Sequence, residues 1–394
     1  MAEESRPAPS PPFPALLVVD DSGFNRLLLK RRLAELGYPE PAMAEDGQQG
    51  LDAIAAKRFD CVLLDLEMPV LDGIGVLEAL RGRPDAPPVI VISAQTEMSG
   101  VIRCIELGAE DYLPKSFDPP LLRARLNAVL EKKRLRDLAA ERLAALEAEL
   151  ESARLAQIGL VPRDVGALAQ GRVTLAAYME PARQVGGDLY DVLRLDSRHI
   201  LFGVADVSGK GAPAGLTMAR TVGLLRSAAR ISMGRGETPC PAALLALAND
   251  DLSAENPEMT FVTACFGWIN TDTGRGRMAL AGHDAPYIVS AAGLRLPEGL
   301  AINPALGVME GLAYKAADFA LEPGETMLLY TDGVPEAEDG SGDFFGRTRF
   351  EAAVMSAKDA PPAELLTAVL GRLAGFTQGA MPADDVTLLG VRVG

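Results

Sequence analysis

Histidine is almost missing from this chain. His199 and His283 are the only two in 394 residues, which leaves no cluster for His-dependent zinc chemistry and no basis for a nucleophile–His–acid triad. Cysteine is sparse as well. The four, at positions 61, 104, 240 and 265, have no close spacing, so reduced thiols of a cytoplasmic protein are expected rather than a disulfide framework. No apolar run reaches the roughly 18 residues of a membrane span. Basic charge is short: 38 Lys and Arg face 54 Asp and Glu, for a net charge of −16. Nucleic-acid binding is therefore not expected, because phosphate backbones need cations, and the acidic second half offers no basic recognition helix. Residues 1–13 are proline-rich and have no apolar core of a signal peptide; they read as a disordered tail.

What is present is ample core material, 48% hydrophobic residues, over a length that suggests two or three domains. Up to about residue 120, strand patterns alternate with helical ones five times, which predicts a doubly wound parallel sheet. One helix is expected from about Asn25 to Leu36, stopped by Gly37. Four apolar runs end in chemistry. Leu16–Val19 leads into Asp20 and Asp21, and Cys61–Leu64 into Asp65, with Asp72-Gly73 close behind. Val89–Ile92 leads into Ser93, and Asp111-Tyr112-Leu113-Pro114 into Lys115. Open α/β sheets bind ligands at the carboxyl edge of their strands. Acids for a hard cation, a lone Asp, a hydroxyl and an amine gathered there make a phosphorylatable aspartate site.

These motifs, in this order over about residues 14–125, resemble the receiver domain of two-component response regulators. The resemblance implies that Asp65 is the phosphoacceptor, charged by a histidine kinase or a phosphotransfer protein. It implies a Mg²⁺ held by Asp21 directly, by Asp20 largely through water, by Asp65 and by the backbone carbonyl of Glu67. Ser93 and Tyr112 would be the switch hydroxyl and aromatic, and Lys115 the conserved amine. One departure is visible. Most receivers have Lys-Pro with a cis bond, whereas this chain has Lys115-Ser116. A cis non-proline bond costs roughly 3 kcal/mol, so a differently built loop is expected there.

Between Pro120 and Gly159 there is neither Gly nor Pro, and charges of both signs alternate with Leu and Ala. This predicts one long charged helix over the linker, residues 126–160. Leu135, Leu138, Leu146 and Leu150 share a face. A half-apolar helix needs a partner to bury its stripe, so a coiled-coil homodimer is expected.

From about residue 161 turn signals return. Short strands are expected at Ile200–Ala205, Thr260–Ile269, Met278–Ala281, Met327–Tyr330 and Thr387–Val393, with helices at Gly215–Arg230 and Pro241–Leu252. The mix predicts an α/β sandwich. Four acidic motifs punctuate it: Gly186-Gly187-Asp188-Leu189-Tyr190-Asp191, Ala205-Asp206-Val207-Ser208-Gly209-Lys210-Gly211, Tyr330-Thr331-Asp332-Gly333 and Ala383-Asp384-Asp385. Carboxylates without clustered His or Cys favour Mg²⁺ or Mn²⁺. Paired ions of this kind suit hydrolysis of phosphate esters. Lys210, between two glycines, reads as shaping a loop, and His283, after Gly282 at a strand end, as a structural hydrogen-bonding residue.

Over about residues 153–394 the chain resembles PPM/PP2C serine/threonine phosphatases, in the bacterial sporulation and stress-response branch that acts in partner-switching circuits. Ala153…Gln157…Leu160-Val161-Pro162, Pro181–Asp188, Phe261-Val262-Thr263, Ala281-Gly282-His283 and Leu328–Ala337 carry the likeness. It implies two Mn²⁺ or Mg²⁺ ions held by Asp188, Asp206, the carbonyl of Val207, Asp332 and Asp384. Asp385 would orient those acids; Arg183, five positions before Asp188, reads as a surface residue, with the alternative of meeting substrate phosphate as an Arg does there in some eukaryotic relatives. It further implies a phosphoserine or phosphothreonine protein substrate, specifically a STAS-type anti-sigma-factor antagonist. The alternative is an adaptor of sigma-factor regulation with weak catalysis, disfavoured because all four acids are present.

Overall fold

The computed structural model describes residues 13–94, 98–254, 256–380 and 382–394; the expected tail, Phe13 excepted, lies outside them. The chain divides into two compact units, Met1–Leu146 and Glu147–Gly394.

The first unit runs β1 (Leu16–Val19), α1 (Gly23–Glu35), β2 (Ala42–Ala44), α2 (Gly47–Ala56), β3 (Cys61–Asp65), α3 (Gly73–Leu80), β4 (Val89–Ser93), α4 (Met98–Glu106), β5 (Asp111–Pro114) and α5 (Pro119–Ile158). The strands form one sheet in the order β2-β1-β3-β4-β5, parallel throughout. Period-two alternation gives each face its own core. Leu17, Val19, Val62, Leu64 and Val91 pack with Val76 and Leu77 of α3. Leu16, Val18, Leu63, Ile90 and Ile92 pack with Leu29 and Leu33 of α1 and with Leu122, Leu126 and Val129 of α5. Each such side chain contributes about 1.5–3 kcal/mol by leaving water. The stop of α1 follows its sequence: Gly37 takes φ +87°, its N–H bonds Ala34 O, and Tyr38 N–H reaches back to Leu33 O, as a Schellman cap does.

The linker is a single helix, the 40 residues of α5. Of its expected apolar stripe, Leu135, Leu138 and Leu146 are exposed. Among the described residues no helix is long and apolar enough to cross a membrane.

The second unit holds two five-stranded sheets. The first has the order β13 (Ala316–Ala320), β10 (Arg275–Ala281), β9 (Val262–Asn270), β8 (His199–Val207), β7 (Leu189–Arg194). The second has β12 (Gly293–Arg295), β11 (Tyr287–Ser290), β14 (Thr326–Tyr330), β15 (Val386–Val393), β6 (Val173–Glu180). All their pairings are antiparallel. The sheets share one core, in which Phe202, Val204 and Phe266 meet Met327, Leu329, Leu389 and Val391. Helices α6 (Ala212–Gly234) and α7 (Pro241–Ser253) pack with the first sheet. Helices α8 (Gly346–Ser356) and α9 (Pro362–Thr377) cover the second, where Leu328, Tyr330 and Leu388 turn outward onto Phe350, Leu365 and Val369. The predicted sandwich is present, with more strands than the sequence announced. Strands β6, β7 and β11–β13 and helices α8 and α9 were not anticipated. Val173–Glu180 mixes buried and exposed positions without a clean period.

Candidate functional site

In the first unit, β1, β3, β4 and β5 deliver their expected side chains to the same sheet edge. Asp20 and Asp65 are buried and Ser93 is fully enclosed, while Asp21 is exposed. Carboxylate oxygens of Asp20, Asp21 and Asp65 all lie within 4.8 Å of one another. Asp20 is fixed from its own loop: Oδ1 accepts from Ser22 N at 2.9 Å, and Asn25 Nδ2 donates to both oxygens at 3.2 Å. Asp65 Oδ1 accepts from Leu66 N at 2.9 Å, and Oδ2 from Lys115 Nζ at 2.6 Å. Lys115 also lies 3.5 Å from Asp20. Burial pushes the Asp65 carboxyl above its usual range against the pull of Lys115, and nearby Asp20 adds to the rise. Burial works against the Lys115 charge too, but its bond to Asp65 and the field of both acids outweigh that and raise it. An ammonium between two desolvated carboxylates is incomplete neutralisation, which suits a further cation.

The remaining predicted residues surround this centre. Tyr112 Oη donates to Ser93 O at 3.4 Å, and Lys115 N to the same carbonyl at 2.9 Å. Glu67 is exposed in the loop after β3. Asp72 caps α3, accepting from Gly75 N at 2.8 Å. Gly73 must be glycine, because a Cβ there would stand 2.3 Å from Asp65 O. No cis peptide bond occurs among the described residues. The Lys115-Ser116 step is trans, and Lys115 reaches Asp65 all the same.

In the second unit the acids are arranged differently. Among the described residues the trio of the first unit is the one group of three that converges within 4.8 Å. Asp188, at the start of β7, is buried; Thr331 Oγ1 donates to its Oδ2 at 2.6 Å. Asp206 ends β8, opposite Thr263 of β9. Asp332 follows β14 and Asp384 precedes β15. Burial, then the charges of Asp332, Asp384 and Asp385, push Asp206 up to about 7. Burial and the Asp206 charge raise Asp188 well above the usual carboxylate range. Burial, then Glu336 and Asp384, raise Asp332. Buried like charges without a neutralising partner are costly, and the donor set fits hard divalent cations.

Asp385 points to the backbone instead. Its Oδ1 accepts from Ala182 N at 2.7 Å and its Oδ2 from Gly187 N and Asp188 N at 2.6 and 3.2 Å. The glycines of the motifs follow from this clamp. A Cβ on Gly186 would lie 2.4 Å from Asp385 Oδ2, and one on Gly333 1.9 Å from Asp385 O. Gly187 backs onto the Val207 carbonyl, with a Cβ site 2.7 Å from it. Arg183 stands exposed on the clamped loop. Asp191 is held in a two-pronged pair with Arg226 of α6, at 2.8 and 2.7 Å, and so anchors α6 to β7. His283 spends both ring nitrogens on the protein, with Nδ1 2.8 Å from Thr263 Oγ1 and Nε2 3.0 Å from Tyr330 O. The carbonyl needs a donor, so Nε2 carries the proton and Nδ1 accepts, and burial lowers the imidazole's affinity for a second proton.

Two residues of this site were not assigned from sequence. Thr331 orients Asp188; its signal was only its place in Tyr330-Thr331-Asp332. Gln157, near the end of α5, bonds Gly186 at both backbone groups: Nε2 to O at 2.5 Å, and Gly186 N to Oε1 at 3.1 Å. The sequence marked Gln157 only as part of the Ala153…Gln157…Leu160 pattern, with no partner assigned to it.

Residues 196–394 match the family described as stage II sporulation protein E, and residues 16–127 match the response regulator receiver domain. Protein IcfG of Synechocystis sp. is 30% identical over 268 residues, covering 62% of this chain and 41% of IcfG. Response regulator MprA of Mycobacterium tuberculosis is 41% identical over 124 residues, covering 32% of this chain and 54% of MprA. The chain thus spans about half or less of the length of these curated relatives. Among solved structures, the SiaA-PP2C domain of Pseudomonas aeruginosa superposes with a TM-score of 0.56 at 24% identity, over 65% of this chain and all of that domain, which shows a shared fold. The sporulation-protein match takes in half of the chain and includes Asp206, Asp332 and Asp384, with Asp188 just ahead of it. The chain belongs to the stage II sporulation protein E family, with a response regulator receiver domain preceding that part in sequence.

Proposed function

We propose that this chain is a phosphorylation-controlled, metal-dependent protein serine/threonine phosphatase. The observation that carries the reading is the desolvated acid set around Asp206, whose mutual repulsion calls for divalent cations. Asp188, Asp206, the Val207 carbonyl, Asp332 and Asp384 would hold two Mn²⁺ or Mg²⁺ ions. When bound, such ions polarise phosphoryl oxygens and acidify the attacking water. Thr331 fixes the rotamer of Asp188, Asp385 fixes the backbone that carries it, and Arg183 on that same loop meets the phosphate of the incoming phosphoserine or phosphothreonine. Likeness to the partner-switching branch supports a STAS-type anti-sigma-factor antagonist as the substrate and the cytoplasm as the location.

In the receiver, an Asp65 carboxylate oxygen attacks the phosphorus of a donor phosphohistidine or of a small acyl phosphate; the new O–P bond forms as the donor's P–N or P–O bond breaks and the imidazole or carboxylate leaves. Lys115 then bonds the phosphate oxygens in place of the carboxylate and Ser93 supplies a hydroxyl; Asp20, Asp21 and the Glu67 carbonyl would hold a Mg²⁺ that, when bound, would offset the phosphoryl charge. Helix α5 is the conduit. It is unbroken from the packed Leu122 and Leu126 to Gln157, which grips the residue two before Asp188. Its exposed leucines support a homodimer formed along it.

Phosphatase assays on the full chain, with and without acetyl phosphate, test this reading. Acetyl phosphate should change turnover. Inserting two glycines after Ala145 should abolish that change while basal hydrolysis persists, since the helix would no longer transmit displacement. An unchanged ratio in the insertion variant would make α5 a mere tether.

The acid set also sets a pH dependence. Asp206 rises from 3.8 unfolded to about 7 folded, so between those values the folded state holds more protons. Stability of the metal-free protein must then fall as pH rises through this window. In EDTA, the thermal midpoint of the second unit should be higher at pH 5 than at pH 7.5. Saturating Mn²⁺ should raise it by roughly 5–10 °C at pH 7.5, and by less at pH 5, where the ion competes with protons. A midpoint in EDTA that climbs with pH would contradict the acid set as drawn.

A further inference from the structure

The Asp384 carboxylate already has a cation. Lys210 Nζ lies 3.0 Å from Asp384 Oδ2 and donates to the Ala383 carbonyl at 2.5 Å. The other oxygen, Oδ1, accepts from Asp385 N at 2.9 Å. Both oxygens of this acid are therefore engaged. The backbone bond is tied to Asp385, which itself clamps three N–H groups of the 182–188 loop, so releasing it would disturb the whole corner. The Lys210 bond has no such support. Both side chains keep contact with solvent, at 40% and 44% exposure. The lysine sits between Gly209 and Gly211, at φ +95° and +77°, each with open space where a side chain would be.

We propose that Lys210 is a built-in counter-ion of the acid set, which competes with the divalent ion for Asp384 and so sets the metal concentration at which the site fills. This deepens the phosphatase reading and rests on it. Asp332 and Asp384 must give oxygens to one ion. A divalent ion at Oδ2 would stand against the ammonium already 3.0 Å from that oxygen, and swinging the lysine out between its two glycines relieves that repulsion. In the metal-free protein the same ammonium offsets part of the repulsion among Asp206, Asp332 and Asp384, which steadies the empty corner.

The test is Mn²⁺ binding to the full chain by titration calorimetry, in wild type, K210Q, K210R and K315Q. Lys315 is an exposed lysine of the same unit in no ion pair among the described residues. An exposed pair changes an equilibrium constant by at most about fivefold, so K210Q should bind Mn²⁺ up to about fivefold more tightly. K210R, which keeps the charge, should stay close to wild type, and K315Q should not differ from it. In EDTA at pH 7.5, K210Q should also melt below wild type. Unchanged or weaker binding in K210Q overturns the proposal and leaves the phosphatase reading standing. So does equal tightening in K210R, or in K315Q. A wild-type chain that binds no Mn²⁺ beyond one ion at the receiver acids refutes the phosphatase reading itself.

Discussion

An Asp206→Asn protein should hydrolyse phosphoprotein at least about 100-fold more slowly than wild type, while folding at least as well. Asparagine keeps the shape of the side chain and removes the charge. That charge is the centre of the acid set: it lies in the field of Asp332, Asp384 and Asp385 and raises Asp188 in turn. Without it, the acids lose the ligand that both ions would share. The same repulsion makes the folding half of the expectation. One fewer negative charge in a desolvated cluster relieves the metal-free protein, so the thermal midpoint in EDTA at pH 7.5 should rise. Lost turnover with a raised midpoint is the signature of a removed metal ligand, whereas lost turnover with a lowered midpoint would mean a damaged fold. Near-native turnover in this variant, or in wild type under EDTA, would refute the metal-dependent reading.

The second large effect concerns Asp65. Incubated with acetyl phosphate and Mg²⁺, wild type should take up one hydroxylamine-labile phosphate, and Asp65→Ala should take up essentially none. Neither neighbouring acid is placed to substitute. Asp20 is tied to Ser22 N and Asn25, and Asp21 is exposed without the Lys115 contact. The nucleophile must also leave its partner at the moment of attack, and Asp65 alone accepts the 2.6 Å bond from Lys115. In the full chain the variant's phosphatase rate should be indifferent to acetyl phosphate. Phosphate incorporation at the wild-type level in Asp65→Ala would place the modification elsewhere.

Much of the receiver was legible because its signals are local. A buried parallel strand writes itself as a continuous apolar run, and Asp20, Asp65 and Ser93 each stand at the end of one, while Lys115 follows the shorter, mixed strand Asp111–Pro114. The strand order that brings those ends together follows from right-handed crossovers through short helices. In the sandwich, antiparallel strands at the edges carry no such run. Val173–Glu180 and Ala316–Ala320 were not anticipated as strands because their burial comes from partners that join the sheet from elsewhere in the chain.

The sequence by itself determined where the acids stand, their order, the glycines beside them, and the long unbroken helix. Those are matters of composition and spacing. Tertiary structure alone decided what each acid does. Asp384 and Asp385 are adjacent and identical in type, yet one faces Asp206 and Lys210 while the other turns back to hold Ala182, Gly187 and Asp188. Asp188 and Asp191 lie three residues apart, yet one meets Thr331 and the other is consumed by Arg226. Every one of these partners arrives from at least 35 residues away in sequence. A carboxylate's role is set by the donors and charges within a few ångströms of it, and only the folded chain brings those together.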